Sequence, residues 1–168
     1  MRGANHFEAA LGSHGRSGQQ FDVWQAVFSP VGADGYPAAI YDKTKGVIDK
    51  AVLGYWHDHY DLTHILIRDW ATLGPKLEGK LHVAVGDADT YYLNGAVHLL
   101  DQALAKTRAP HSDATFDYGP GAPHCYTGAA PDWAKASRVT VNERLLPPMI
   151  DHMLATAPKD ADVKSWRY

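Results

Sequence analysis

The sequence predicts an α/β fold, and three observations carry the prediction. Two short apolar runs, "KLHVAVG" (80–86) and "ATFDYG" (114–119), are rich in β-branched or aromatic residues and each ends in glycine, the pattern of buried strands. Between them, "LNGAVHLLDQALAKT" (93–107) places Val97, Leu100 and Leu104 on one helical face. After the second run, "VNERLLPPMIDHMLATAP" (141–158) carries Val141, Leu145, Met149, Met153 and Leu154 at helical spacing. Strand, helix, strand, helix is the order of a parallel sheet with right-handed crossovers.

The elements follow in chain order. Residues 1–20 are polar and glycine-rich, with Gly12, Gly15 and Gly18 beside Ser13 and Ser17, and predict a loop. "FDVWQAVF" (21–28) predicts a helix with a stripe of Phe21, Trp24, Val27 and Phe28. "SPVGADGYP" (29–37) is turn chemistry. Residues 47–74 predict two helices or one bent helix. The first stripe is Ile48, Ala51, Val52 and Tyr55; the second is Leu62, Leu66, Trp70 and Leu73, with Asp61 as its cap and Gly74-Pro75 as its end. Pro147 and Pro148 place the true start of the last helix near residue 147, because proline suits a first turn and not an interior. No repeat or linker divides the chain, so one α/β domain is expected over 1–168, mostly helix and loop to residue 79 and an α/β core from residue 80.

Composition narrows the partners. Of 168 residues, 45% are hydrophobic and 21% charged, enough for a globular core. A net charge of −3 gives nucleic acid no electrostatic footing. Cys125 is the one cysteine, which excludes an internal disulfide and a cysteine-rich zinc site. No apolar run reaches the roughly 18–20 residues that cross a bilayer. The N-terminal stretch has no apolar signal core, which predicts a cytoplasmic chain.

The chemistry gathers at the strand tips. Open α/β sheets bind ligands beyond the carboxyl ends of their strands. Asp87 and Asp89 follow the first strand; His124 follows the second, 35 residues after Asp89. That interval holds one helix and one returning strand, which sets the two tips side by side. A carboxylate accepting one imidazole N–H fixes the tautomer and leaves the other nitrogen as a base. Ten histidines make such a pairing easy to supply, although most are expected to be surface residues. Asp87 also suits a helix cap.

"VAVGDADTYYL" resembles the segment after the penultimate strand of α/β-hydrolase-fold enzymes, with Asp89 in the place of the acid. "YGPGAPHCYTG" is similar to that family's histidine loop, with His124 in the place of the base. More narrowly, the chain resembles the C-terminal part of a group of larger, secreted bacterial esterase-like proteins. That likeness includes "LGSHGRSGQQFDVW", "VGADGYP", "YWHDHYDLTH" and "ADVKSWRY". The resemblance implies a partial α/β-hydrolase-like sheet and an ester or lactone as the small-molecule substrate.

The Gly-x-Ser-x-Gly nucleophile elbow of that family is absent. None of the six serines has glycine at both −2 and +2; Ser17 and Ser13 each have one, which makes them the candidate nucleophiles. Water activated by His124 is the alternative. Cys125, beside His124, is a weaker one. A sheet so shortened exposes a strand edge, and pairing with a second copy as a homodimer would cover it.

The leading reading requires no cofactor. A competing reading is a hydrolase dependent on calcium or another divalent cation, with Asp87, Asp89, His57 and Asp61 as ligands: Asp87-x-Asp89 offers hard oxygens, and "WHDHYDLTH" (56–64) gathers imidazoles and carboxylates. A third is a non-enzymatic remnant serving as an oligomeric or binding module.

Overall fold

The computed structural model describes residues 20–128 and 133–165. The chain divides into two compact units, one ending at Arg68 and the other beginning at Asp69. Six α-helices and a two-stranded parallel sheet make the described part mixed α/β.

The first unit holds α1 (Gln20–Phe28), α2 (Lys50–Tyr60) and α3 (Leu62–Arg68). The face that α1 buries differs from expectation. Trp24 and Val27 are exposed and Gln25 is buried. Its side-chain oxygen accepts the Ile40 amide at 2.8 Å, so a buried polar anchor sits between Phe21 and Phe28, the two residues of the expected stripe that pack, on Tyr41 and on Trp56 and Tyr60. Asp49 caps α2 by accepting from the amides of Ala51 and Val52 at 2.8 and 3.1 Å. Asp61 acts at both sides of the break that follows. Its amide donates to the Trp56 carbonyl at 3.1 Å, and its carboxylate accepts from the His64 amide at 3.1 Å, the capping role expected of it.

The second unit holds α4 (Trp70–Leu77), β1 (His82–Gly86), α5 (Leu93–Leu104), β2 (Thr115–Gly119), a short 3₁₀ turn (Trp133–Lys135) and α6 (Arg138–Ala155). Two proline expectations are corrected here. Gly74-Pro75 lies inside α4 rather than at its end. A Cβ at Gly74 would stand 2.7 Å from the Trp70 ring, so this glycine answers to packing, and Trp70 is held by donating from its indole to the Pro110 carbonyl at 2.8 Å. The last helix starts at Arg138, not near residue 147, because the Ser137 hydroxyl caps it by accepting the Thr140 amide at 3.2 Å. Pro147 and Pro148 are carried inside it on an exposed stretch, where solvent can replace a missing donor. The apolar stripe of α6 is also only partly covered: Val141 is buried, whereas Leu145, Met149 and Met153 are exposed.

β1 and β2 pair in parallel from His82↔Thr115 to Gly86↔Gly119. Both strands therefore stop at the same level, on paired glycines. α5 lies against β1, and the core of this unit is built from Trp70, Val85, Leu104, Ala122 and Val141. Among the described residues no helix is long and apolar enough to cross a membrane.

Candidate active site

The loops leaving the two strands are stitched together. The Asp87 amide donates to the Gly119 carbonyl at 3.0 Å and the Ala88 amide to the Ala122 carbonyl at 3.1 Å. Asp87 then accepts the Gly121 amide on its carboxylate at 2.6 Å. This carboxylate fixes the histidine-bearing loop. The helix-cap role considered for Asp87 falls instead to Asp89, whose Oδ1 accepts from the amides of Tyr91 at 2.7 Å and Leu93 at 3.5 Å at the start of α5. Tyr92 sits between them in the left-handed region, with φ of 60°, and makes no side-chain cap.

The second oxygen of Asp89 meets His124. Nδ1 of His124 lies 2.9 Å from Asp89 Oδ2. The carboxylate is 4% exposed and the imidazole 39%, so the acid is enclosed and the ring reaches solvent. An ionised carboxylate can only accept, which places the ring proton on Nδ1 and leaves Nε2 of the neutral imidazole with a bare lone pair. Burial pushes the Asp89 carboxyl up, but the bond to His124 and the amides of Tyr91 and Leu93 outweigh it. The net effect holds the group below its ordinary value of 3.8 and keeps it charged.

The ring is also fixed from the side. Tyr91 packs edge-on against it, with centroids 4.7 Å apart and planes at 70°. Beyond His124 the chain turns through Cys125, in the left-handed region with φ of 69°, and the Tyr126 hydroxyl donates to Asp117 on β2 at 2.8 Å. A cleft of about 700 Å³ opens at this loop, lined by His124, Cys125, Thr127, Arg138, Val141 and Asn142 among others. It combines an apolar wall with a guanidinium, an amide and the imidazole, the mixture that orients a small polar substrate.

Of the residues singled out from sequence, Asp89 and His124 are in direct contact and Asp87 braces their loops. Ser13 and Ser17 lie outside the described residues. Ser112, Ser137 and Ser165, the described serines of this unit, do not line the cleft; Cys125 and Thr127 do. Each of the four candidate metal ligands is engaged within its own unit. Asp87 holds Gly121, both oxygens of Asp89 are engaged, and Asp61 caps α3. His57 keeps company instead with Asp58 and His64. Sequence reasoning missed Tyr91, the Asp117–Tyr126 bond, Arg138 and Asn142. No periodicity links these positions, because they belong to separate loops and elements that only the fold brings together.

Comparison with known proteins gives no matching family model, no matching curated protein and no matching solved structure.

Proposed function

We propose that the protein is a hydrolase of a small ester or lactone, with His124 as general base and Asp89 as the group that orients it. The observation that supports this reading most is the 2.9 Å contact between an enclosed carboxylate and an imidazole that opens onto a cleft. In the proposed reaction Nε2 of His124 takes a proton from an attacking water or hydroxyl as its oxygen bonds to the acyl carbon. The carbon–oxygen bond to the leaving group then breaks, and the imidazolium returns the proton to the departing alkoxide. Ester and water give carboxylic acid and alcohol. Asp89 stabilises the transient imidazolium and needs no proton of its own.

The same reading takes the chain as a partial α/β-hydrolase-like sheet completed by a second copy. Among the described residues the two strands leave two edges without a further strand, and the apolar residues that α6 exposes offer a face for the partner.

The test is hydrolysis of chromogenic esters and lactones by wild type, Asp89→Ala and His124→Ala, each measured with and without chelator. Loss of general-base catalysis is expected to lower turnover by about 10²–10⁴-fold in His124→Ala, with no effect of chelator on wild type. If wild type is as inert as both variants, the chain is a binding module instead. Activity that ignores His124→Ala removes this site from the chemistry.

A further inference from the structure

The first unit holds a second constellation, created by the break at Asp61. His57 and His64 stand seven residues apart. On one straight helix they would share a face but lie about 10.5 Å apart along the axis. Ending α2 and restarting α3 at Asp61 brings their rings to 4.0 Å between centroids, with planes at 40°. Asp58 completes the group, with its carboxylate accepting from His57 Nδ1 at 2.8 Å. One ligand atom from each of the three side chains falls within 4.8 Å of the others.

The neighbouring polar residues are engaged elsewhere. His59 stacks on Tyr55, with centroids 4.1 Å apart, and its Nδ1 bonds the Tyr55 carbonyl at 2.8 Å. Asp61 caps α3. Arg68 reaches back from the end of α3 and donates to the Asp58 carbonyl at 3.2 Å, tying the two helices beside the cluster.

We propose that His57, Asp58 and His64 bind a divalent transition-metal ion of the zinc type, with a fourth coordination position left to water. Two imidazole nitrogens and one carboxylate oxygen suit a borderline ion, whereas calcium and magnesium call for oxygen alone. Tetrahedral ligands around zinc stand about 3.3 Å apart, so the 2.8 Å His57–Asp58 contact must open a little and the wider spacings, up to 4.8 Å, must close on the ion. His57 and Asp58 are exposed and His64 is half-buried, which lets rotamer changes supply that closure. The fourth position opens to a cleft of about 540 Å³ lined by His57, Asp61, Thr63, His64, Ile67 and Arg68. This assignment is independent of the Asp89–His124 reading.

The test is equilibrium dialysis of the full chain, without a polyhistidine tag, against buffered Zn²⁺ in the presence of excess Mg²⁺. One Zn²⁺ per chain is expected. Its dissociation constant should rise on the order of tenfold or more in His64→Ala and in Asp58→Ala, and the site should disappear in the His57→Ala/His64→Ala double variant. His59→Ala and His124→Ala should bind as wild type does, which separates this site from the proposed hydrolytic one. Circular dichroism monitors whether the helices persist. Should a variant lose its helical signal, the wild type decides by NMR: the imidazole resonances of His57 and His64 must shift on adding one equivalent of Zn²⁺. Absence of stoichiometric uptake, a site that survives the double variant, or unmoved resonances would each overturn the assignment.

Discussion

Asp89 uses its two oxygens for different purposes, one on the amides at the start of α5 and one on the imidazole of His124. The two can be separated by substitution. Asp89→Asn retains a carbonyl oxygen for the Tyr91 amide but turns an NH₂ toward Nδ1, which must then accept. The ring proton moves to Nε2 and the base is lost. Turnover is expected to fall by up to about 10²–10⁴-fold, the range for loss of a general base, while thermal unfolding shifts far less than in Asp89→Ala, which also removes the cap; ester assays and calorimetry on the two variants check this. A second expectation belongs to Tyr118. Burial first, then its hydrogen bond to Asp101 at 2.9 Å and that residue's charge, push its phenol up from 10 to about 12. Because the folded state holds this proton more tightly, the stabilisation is complete below pH 10 and fades as the pH rises toward 12. Absorbance titration should show one of the nine tyrosines ionising late, and Tyr118→Phe should remove that step. An unaltered titration curve would contradict it.

At the level of elements, close packing of the two loops rests on Gly86. A Cβ there would fall inside contact distance of the Ala122 and Pro123 carbonyl oxygens, both backbone atoms of the loop that carries His124. Gly86→Ala is expected to cost about 1–3 kcal/mol of stability and to impair hydrolysis beyond that loss, because relief requires moving the loop. Denaturant unfolding together with the ester assay measures both effects; unchanged stability would rule out the tight approach. The elements themselves were readable where one signal dominated. Short apolar runs rich in β-branched or aromatic residues and closed by glycine mark β1 and β2, and the spacing of Val97, Leu100 and Leu104 marks α5. Expectation failed where a residue had two physical roles. Gly74 reads as a helix stop but makes room for Trp70, and the two prolines of α6 read as a start although Ser137 provides one earlier. In α1 only Phe21 and Phe28 of the hydrophobic stripe pack, because the buried centre of the face is a glutamine that accepts a distant amide, a contact without a local signature.

For the whole molecule, the small described core and two-stranded sheet make self-association the natural expectation under the proposed reading. Sedimentation equilibrium should return twice the mass of one chain at micromolar concentration, and Met149→Lys combined with Met153→Lys on α6 should shift the population toward monomer. A wild type that is monomeric throughout would reject the dimer. The Asp89–His124 approach was legible because strand order and the interval between the residues bring both tips together. The attacking group of the proposed reaction was not, since no serine carries the elbow pattern and Ser13 and Ser17 fall outside the described residues. The proposed metal site was half legible: its residue types stand in one short run, but only the break at Asp61 selects which of them converge.

The level ending of the two strands on Gly86 and Gly119 has a practical corollary. The acid and the imidazole are indexed to each other by ladder rungs, so strand length is a vernier for their alignment. Deleting Val83 and Ala84 together preserves which side chains face inward, yet draws one tip back by about two residue rises, roughly 6–7 Å, out of reach of its mate. Such a variant would keep a pleated pair while disengaging the dyad, an uncommon chance to dissociate architecture from reactivity without altering a single polar side chain.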